Sequence, residues 1–200
     1  MANTKFSTSS INQGLVKSRS MLVGNTAYEP PNFESLATVT VGAGGSSTVT
    51  FSSISQEYAH LQIRAIAKSH GGSDSLDLTF NGDTGSSQYT YHSLYGSGSS
   101  AGSENNRPRA NIPTTITLVP SADTNMFAAG VIDILDYTDT NKYTTVRILA
   151  GQTVNSTSGE AVFLTSGLWM SSSAITSITL TGRSTNIGQY SKFALYGIKD

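Results

Sequence analysis

The chain reads as an all-β protein, a sandwich or barrel preceded by an arm, and three observations predict this. Apolar and hydroxyl residues alternate in run after run from residue 33 to residue 198, the period-2 pattern of strands with one buried face. Clusters of Gly, Asn and Asp punctuate these runs, and nothing is spaced as a strand–helix–strand unit. Ser and Thr supply roughly a quarter of the 200 residues beside 19 Gly and only 12% charged residues, a composition suited to many strands and few helices.

Residues 1–32 stand apart as a candidate anchoring arm, ahead of a candidate β-sandwich domain over 33–200. The segment shows no comparable alternation, and Lys5, Lys17 and Arg19 stand against the single acid Glu29. Ile11, Leu15, Met21, Leu22 and Val23 offer scattered apolar contacts, and Ser9 or Ser10 can cap a short helix. Pro30 and Pro31 force an extended path into the first strand. One reading is a disordered leader. The other is an arm that orders on a partner through Lys5, Ile11, Leu15, Lys17, Arg19, Met21 and Leu22.

Residues 33–54 are expected to form a strand, a Gly-rich turn and a second strand, that is, a hairpin. Ala37, Val39 and Val41 alternate with Thr38 and Thr40, Val49 and Phe51 with Thr48 and Thr50, and Ala43, Gly44 and Gly45 lie between. The next strand carries Leu61, Ile63 and Ala65 on one face, and the following one Leu76, Leu78 and Phe80, closed by the turn signal of residues 81–85. Over residues 88–96 an aromatic strand sets Tyr89, Tyr91 and Tyr95 on one face and His92 and Leu94 on the other. Residues 96–111 have almost no apolar content and are expected to be a long surface loop, the first place to look for binding. Strands are expected again at 116–119, 127–135, 143–150, 161–170, 175–180 and 192–198. The run over 131–137 is the richest in apolar residues and is expected to be central, and the last run is expected to be integral to a sheet.

Composition narrows the function. A net charge of −1 points to no nucleic-acid partner. With no cysteine there is no disulfide framework, thiolate metal site or cysteine nucleophile. The first residues lack the apolar centre of a signal peptide, and no run approaches the ~20 apolar residues of a membrane helix. Synthesis in the cytosol without a membrane partner is the expectation.

Asp133, Asp136 and Asp139 recur at three-residue intervals, and Asn81 with Asp83 makes a second oxygen-rich turn. Such groups suit calcium, but EF-hand spacing is missing and turn capping by Asp and Asn is the simpler reading. His60, His70 and His92 lie in separate segments without metal-ligand spacing. There is no GxSxG elbow, and Asp74, Asp77 and Glu160 are not marked out as a glycosidase pair. No catalytic, cofactor or metal residue is therefore assigned, and no enzyme is expected. Tyr89, Tyr91 and Tyr95 either stack on sugars or fill an interface, or form a tyrosine-rich wall of the sandwich. Trp169 is expected in the core, and the sequon at Asn155 carries no weight without a signal peptide.

The blocks FESLATVTVG, VTFSSI, YAHLQIRAIA, LDLTFNGDTGSSQYTYHSLYG, VIDILDYTDTNKYTTVR, LTSGLWMSSSAITSITL and FALYGIK together resemble a family of small structural proteins of tailed bacteriophages, especially those of cyanobacteria and aquatic relatives. The likeness covers roughly five sixths of the chain. It implies a virion component with a jelly-roll-like antiparallel β-sandwich, usually homotrimeric and without enzymatic activity, made in the host cytoplasm. The function expected from it is that of a capsid decoration (cement) protein, with the major capsid protein or other virion proteins as partners and the arm as the gripping element. The alternative is a tail or tail-fibre module recognising host glycans through Tyr89, Tyr91 and Tyr95 or residues 96–111.

Overall fold

The structure, a computed structural model, describes residues 21–23, 26–28, 32–72, 74–118, 125–153 and 160–199. The chain divides into two units, Met1–Asn32 and Phe33–Asp200. In the first, β1 (Met21–Val23) and β2 (Thr26–Tyr28) pair antiparallel, a short ribbon in a segment where no strand is expected. The helix expected after Ser9 or Ser10 and the Pro30–Pro31 step lie outside the described residues.

The second unit contains β3 (Phe33–Thr40), β4 (Thr48–Phe51), β5 (His60–Ala67), β6 (Asp74–Phe80), β7 (Tyr89–Ser97), β8 (Ser100–Arg109), β9 (Ile112–Leu118), β10 (Ala128–Leu135), β11 (Thr144–Gln152), β12 (Ala161–Trp169), β13 (Ile178–Gly182) and β14 (Lys192–Ile198). They form an eight-stranded sheet, ordered β3-β14-β5-β10-β11-β12-β7-β8, and a four-stranded sheet, ordered β4-β13-β6-β9. All named pairings are antiparallel. The two sheets pack face to face, so the domain is a β-sandwich.

Its connectivity is a jelly roll with two insertions. With β7, β8, β11 and β12 set aside, the large sheet is β3-β14-β5-β10 and the small one β4-β13-β6-β9. The first strand pairs with the last and the second with the last but one, nesting inward as two Greek keys do. The hairpins β7–β8 and β11–β12 then extend the large sheet beyond β10.

This topology corrects the expected hairpin at 33–54. Both segments are strands, but β3 pairs with β14 and β4 with β13, in different sheets. The Gly-rich stretch is a corner, with Gly44 and Gly45 at φ of 85° and 74°, a backbone that side chains with a Cβ rarely adopt. Past it, Ser46 bridges to Ile187 and the chain has crossed the sandwich. Alternation identifies a strand and its inward face; it does not name the partner.

The inward faces make one core. Leu61, Ile63, Ala65 and Ala67 of β5, Ile132 and Ile134 of β10, and Val146 and Ile148 of β11 meet Val49, Phe51, Leu76, Leu78, Phe80, Ile178 and Leu180 of the small sheet. Each large aliphatic or aromatic side chain so buried contributes about 1.5–3 kcal/mol. The β9 strand lies over β10, β11, β12 and β7. Its approach is close enough that a Cβ on Gly130 would stand 2.6 Å from Ile116 Cγ1. As expected, β10 is an interior strand of its sheet, and β14 lies between β3 and β5.

The turn after β6 fastens the inserted strands to this core. Trp169 at the end of β12 is buried, as expected, with its ring centroid 5.5 Å from Phe80 and 6.5 Å from Tyr89. Its Nε1–H donates to Asp83 Oδ2 at 2.9 Å. Tyr89 Oη accepts the Phe80 N–H at 3.0 Å and donates to the Asp83 carbonyl at 3.0 Å.

Candidate functional site

The tyrosine row, for which the sequence leaves open a glycan or interface platform and a wall of the sandwich, faces inward. Tyr89 is fully buried, and Tyr91 is buried with the Arg109 guanidinium 5.6 Å above its ring. Tyr95 is half-buried against Phe163, centroids 5.9 Å apart. Between them Ser93 joins a buried hydroxyl chain, Ser93 Oγ to Thr165 Oγ1 at 2.7 Å and Thr165 Oγ1 to Thr115 Oγ1 at 3.2 Å. This is the tyrosine-rich wall of the sandwich and not a displayed platform, because β7 turns its odd-numbered residues to the core. Burial pushes the Tyr89 phenol up. For Tyr91, burial and then the Glu104 charge raise it against Arg109 and Arg183.

Residues 96–111 are not a loop. After a turn at 98–99 they form β8, paired with β7 along its length. As the edge strand of the large sheet, with nearly every residue exposed, it has no apolar face to reveal by alternation.

The acidic candidates are held by basic, amide and N–H groups, and of these Asp136 and Asp139 share a partner, Lys142. Asp133 accepts from Gln62 Nε2 at 2.8 Å, Asp136 pairs with Lys142, and Asp83 holds Trp169 and the Gly85 N–H. Asp139 accepts from the Asn141 N–H at 2.8 Å, which holds its carboxyl below the usual carboxylate range. For Asp83, Asp136 and Asp139 these are the capping and pairing roles of turn acids, while Asp133 makes a cross-strand bond within the sheet. No three of the His, Asp and Glu side chains converge as metal ligands among the described residues. His60 Nδ1 accepts the Asp136 N–H at 2.9 Å, while His92 lies on the opposite side of β7 from the tyrosines. Of the proposed arm contacts, Lys5, Ile11, Leu15, Lys17 and Arg19 lie outside the described residues, as does the sequon at Asn155; Met21 and Leu22 belong to β1.

What the geometry does bring together is an apolar stripe on the outer face of the large sheet. In register across β10, β11, β12 and β7 run Val131, Leu149, Leu164 and Leu94. Beside that row run Ile66, Ala129, Gly151 and Val162. Ile66, Leu94, Leu149, Val162 and Leu164 are each 48–59% exposed. Between the rows lies a shallow depression of about 500 Å³ floored by small residues. The next row, Gln62, Asp133, Arg147, Ser166 and His92, is polar.

The small sheet wears a different exterior. Its outer rows are Thr50, Thr179 and Thr79, then Thr48, Thr181 and Asp77. Thr50 and Thr179 share a hydrogen bond at 3.1 Å, and Arg183 grips Asp77 in a fork at 2.6 and 3.2 Å.

The stripe had a signal in the sequence that the strand pattern masked. Over 148–150 and 161–164 apolar residues are consecutive, so that part of β11 and β12 is apolar on both faces, where an antiparallel strand with one solvated face would alternate. Comparison with protein-family models, with curated proteins and with solved structures returns no match to this chain.

Proposed function

We propose that this chain is a non-enzymatic structural protein of a bacteriophage virion, a capsid decoration or cement protein. Its residues 1–32 grip the head, and its jelly-roll body is displayed as a homotrimer. The observation that carries this reading is the contrast between the two exteriors of the body. One is clad in hydroxyls and paired charges; the other bears an apolar stripe of a kind that marks protein–protein contact. The resemblance of blocks spread along residues 33–200 to phage structural proteins supplies the context. The jelly roll itself serves many functions and adds only analogy.

The mechanism is passive. A protein that binds the assembled head but not its dissociated subunits shifts the equilibrium toward the head by mass action, by about 2.7 kcal/mol per site at a free concentration 100-fold above Kd. An arm of 32 residues, with its β1–β2 ribbon kept, spans on the order of several tens of ångströms when the rest is drawn out, enough to cross a subunit boundary. With Tyr89 and Tyr91 buried, the tail and glycan alternative keeps only the half-buried Tyr95 and the exposed strand β8 of the features that suggested it.

The test compares the full chain with a version lacking residues 1–32 for attachment to heads devoid of the protein. Loss of attachment on truncation is expected, with many copies over the head in the intact particle. Undiminished attachment of the truncated form removes the arm from the mechanism, and a few copies confined to the tail overturn the cement reading.

A further inference from the structure

We infer that the apolar stripe on the outer face of the eight-stranded sheet is where copies of this chain meet one another. The inference rests on the proposal that the body is displayed as an oligomer, and it names the surface that makes it one.

Shape is the first argument for a second copy as the occupant. Val131, Leu149, Leu164 and Leu94 stand side by side as a ridge. Ala129 and Gly151, flanked by Ile66 and Val162, form the neighbouring groove. A ridge beside a groove on one surface is complementary to itself: the ridge of each copy fits the groove of another, whether two copies close on a twofold axis or three on a threefold.

Area is the second. Five large side chains about half exposed present roughly 500 Å² of apolar surface, the greater part of the ~800 Å² per partner that a standard interface buries. The adjoining polar row supplies a rim. Charge is the third. At a net charge of −1 the copies barely repel. Of the charges bordering the stripe, Arg64 lies 5.1 and 5.3 Å from the Phe33 and Tyr196 rings, Asp133 accepts from Gln62, and Arg147 stands opposite Asp133 in the polar row, so the two signs are mixed. Such a surface selects neither an acidic nor a basic partner. It does select one of its own shape.

The experiment measures the mass of the full chain in solution by sedimentation equilibrium, with Leu149→Lys and Leu164→Lys on the stripe and Thr50→Lys on the small sheet as control. The wild type and the control are expected at a multiple of 21.0 kDa, and both stripe variants at 21.0 kDa with unchanged Trp169 fluorescence. A wild type that is monomeric overturns the inference, as do stripe variants that keep the multimeric mass. If the lysine variants do not fold, thiol labelling decides, because the chain has no cysteine of its own. Leu149→Cys is expected to label more slowly than Thr50→Cys and to catch up on dilution; equal rates at all concentrations overturn the inference. A monomer that still decorates heads would sink this inference and the trimer with it while leaving the cement role, and an oligomer that attaches to no head would sink only the cement role.

Discussion

Replacing Asp83 with alanine tests how the inserted strands are held to the jelly roll. The Asp83 carboxylate accepts the Trp169 Nε1–H at 2.9 Å and the Gly85 N–H at 3.0 Å. Trp169 is 2% exposed, so its indole N–H has no ready access to water once the acceptor is gone. A buried donor left without a partner costs about 1–3 kcal/mol, and the exposed turn bond to Gly85 adds about 0.5 kcal/mol. The sum, about 1.5–3.5 kcal/mol, lowers Tm by roughly 3–14 °C in a domain of this size. Trp169 is the single tryptophan of the chain, so its fluorescence during urea unfolding reports this corner directly. Asp83→Asn keeps an oxygen that can accept from the indole and should cost under about 1 kcal/mol. In a Trp169→Phe background, followed by circular dichroism, Asp83→Ala should lose only the turn bond, since the cycle removes the shared hydrogen bond. An Asp83→Ala protein with unchanged Tm, or the same loss with and without the indole, would refute the reasoning.

Two further predictions concern the sandwich. Gly130→Ala places a methyl group 2.6 Å from Ile116 Cγ1 and 2.7 Å from its Cδ1, so it should destabilise by about 1–3 kcal/mol through overpacking; Ile116→Val in the same chain should return part of that loss in urea unfolding. Burial alone would raise the Asp74 carboxyl, but the N–H groups of Ser184, Thr185 and Ser75 outweigh it and set its value below the ordinary 3.8. Its contribution is therefore fully present above 3.8 and is lost as pH falls through the lower folded value. Asp74→Asn should flatten the acid limb of Tm against pH while leaving its shape at neutral pH unchanged.

The strands were legible because burial imposes alternation. Ile132 and Ile134, or Val146 and Ile148, point inward with exposed or half-exposed neighbours between them, and a chain met without its fold shows this at once. Three things were not legible, each for a physical reason. The partner of a strand is set by the whole topology, so β3 and β4 looked like a hairpin although each pairs near the C-terminus. An edge strand such as β8 need bury neither face, so its polar sequence mimicked a loop. The direction of the tyrosine row was ambiguous because a phenol suits both a wall and a platform. Here the Tyr89 hydroxyl finds Phe80 and Asp83 inside.

The two insertions explain why an otherwise ordinary jelly roll has an apolar stripe on one exterior. Strands β3, β4, β5, β6, β9, β10, β13 and β14 are sufficient for a closed sandwich with two Greek keys, and of the five exposed aliphatic residues in the stripe they supply only Ile66. Leu94, Leu149, Val162 and Leu164 all come from β7, β11 and β12. The same insertions also end the large sheet in β8, whose Glu104, Arg107, Pro108 and Arg109 make a poor template for another chain's strand. Edge pairing is thus discouraged at the margin where the sheet was lengthened, while the added area of its face is apolar. In the proposed self-association, contact with another copy would be directed away from the edge and onto the face, where its register would be set by side-chain shape and not by open backbone hydrogen bonds. A closed assembly of defined number follows from the former; open-ended sheet growth would follow from the latter.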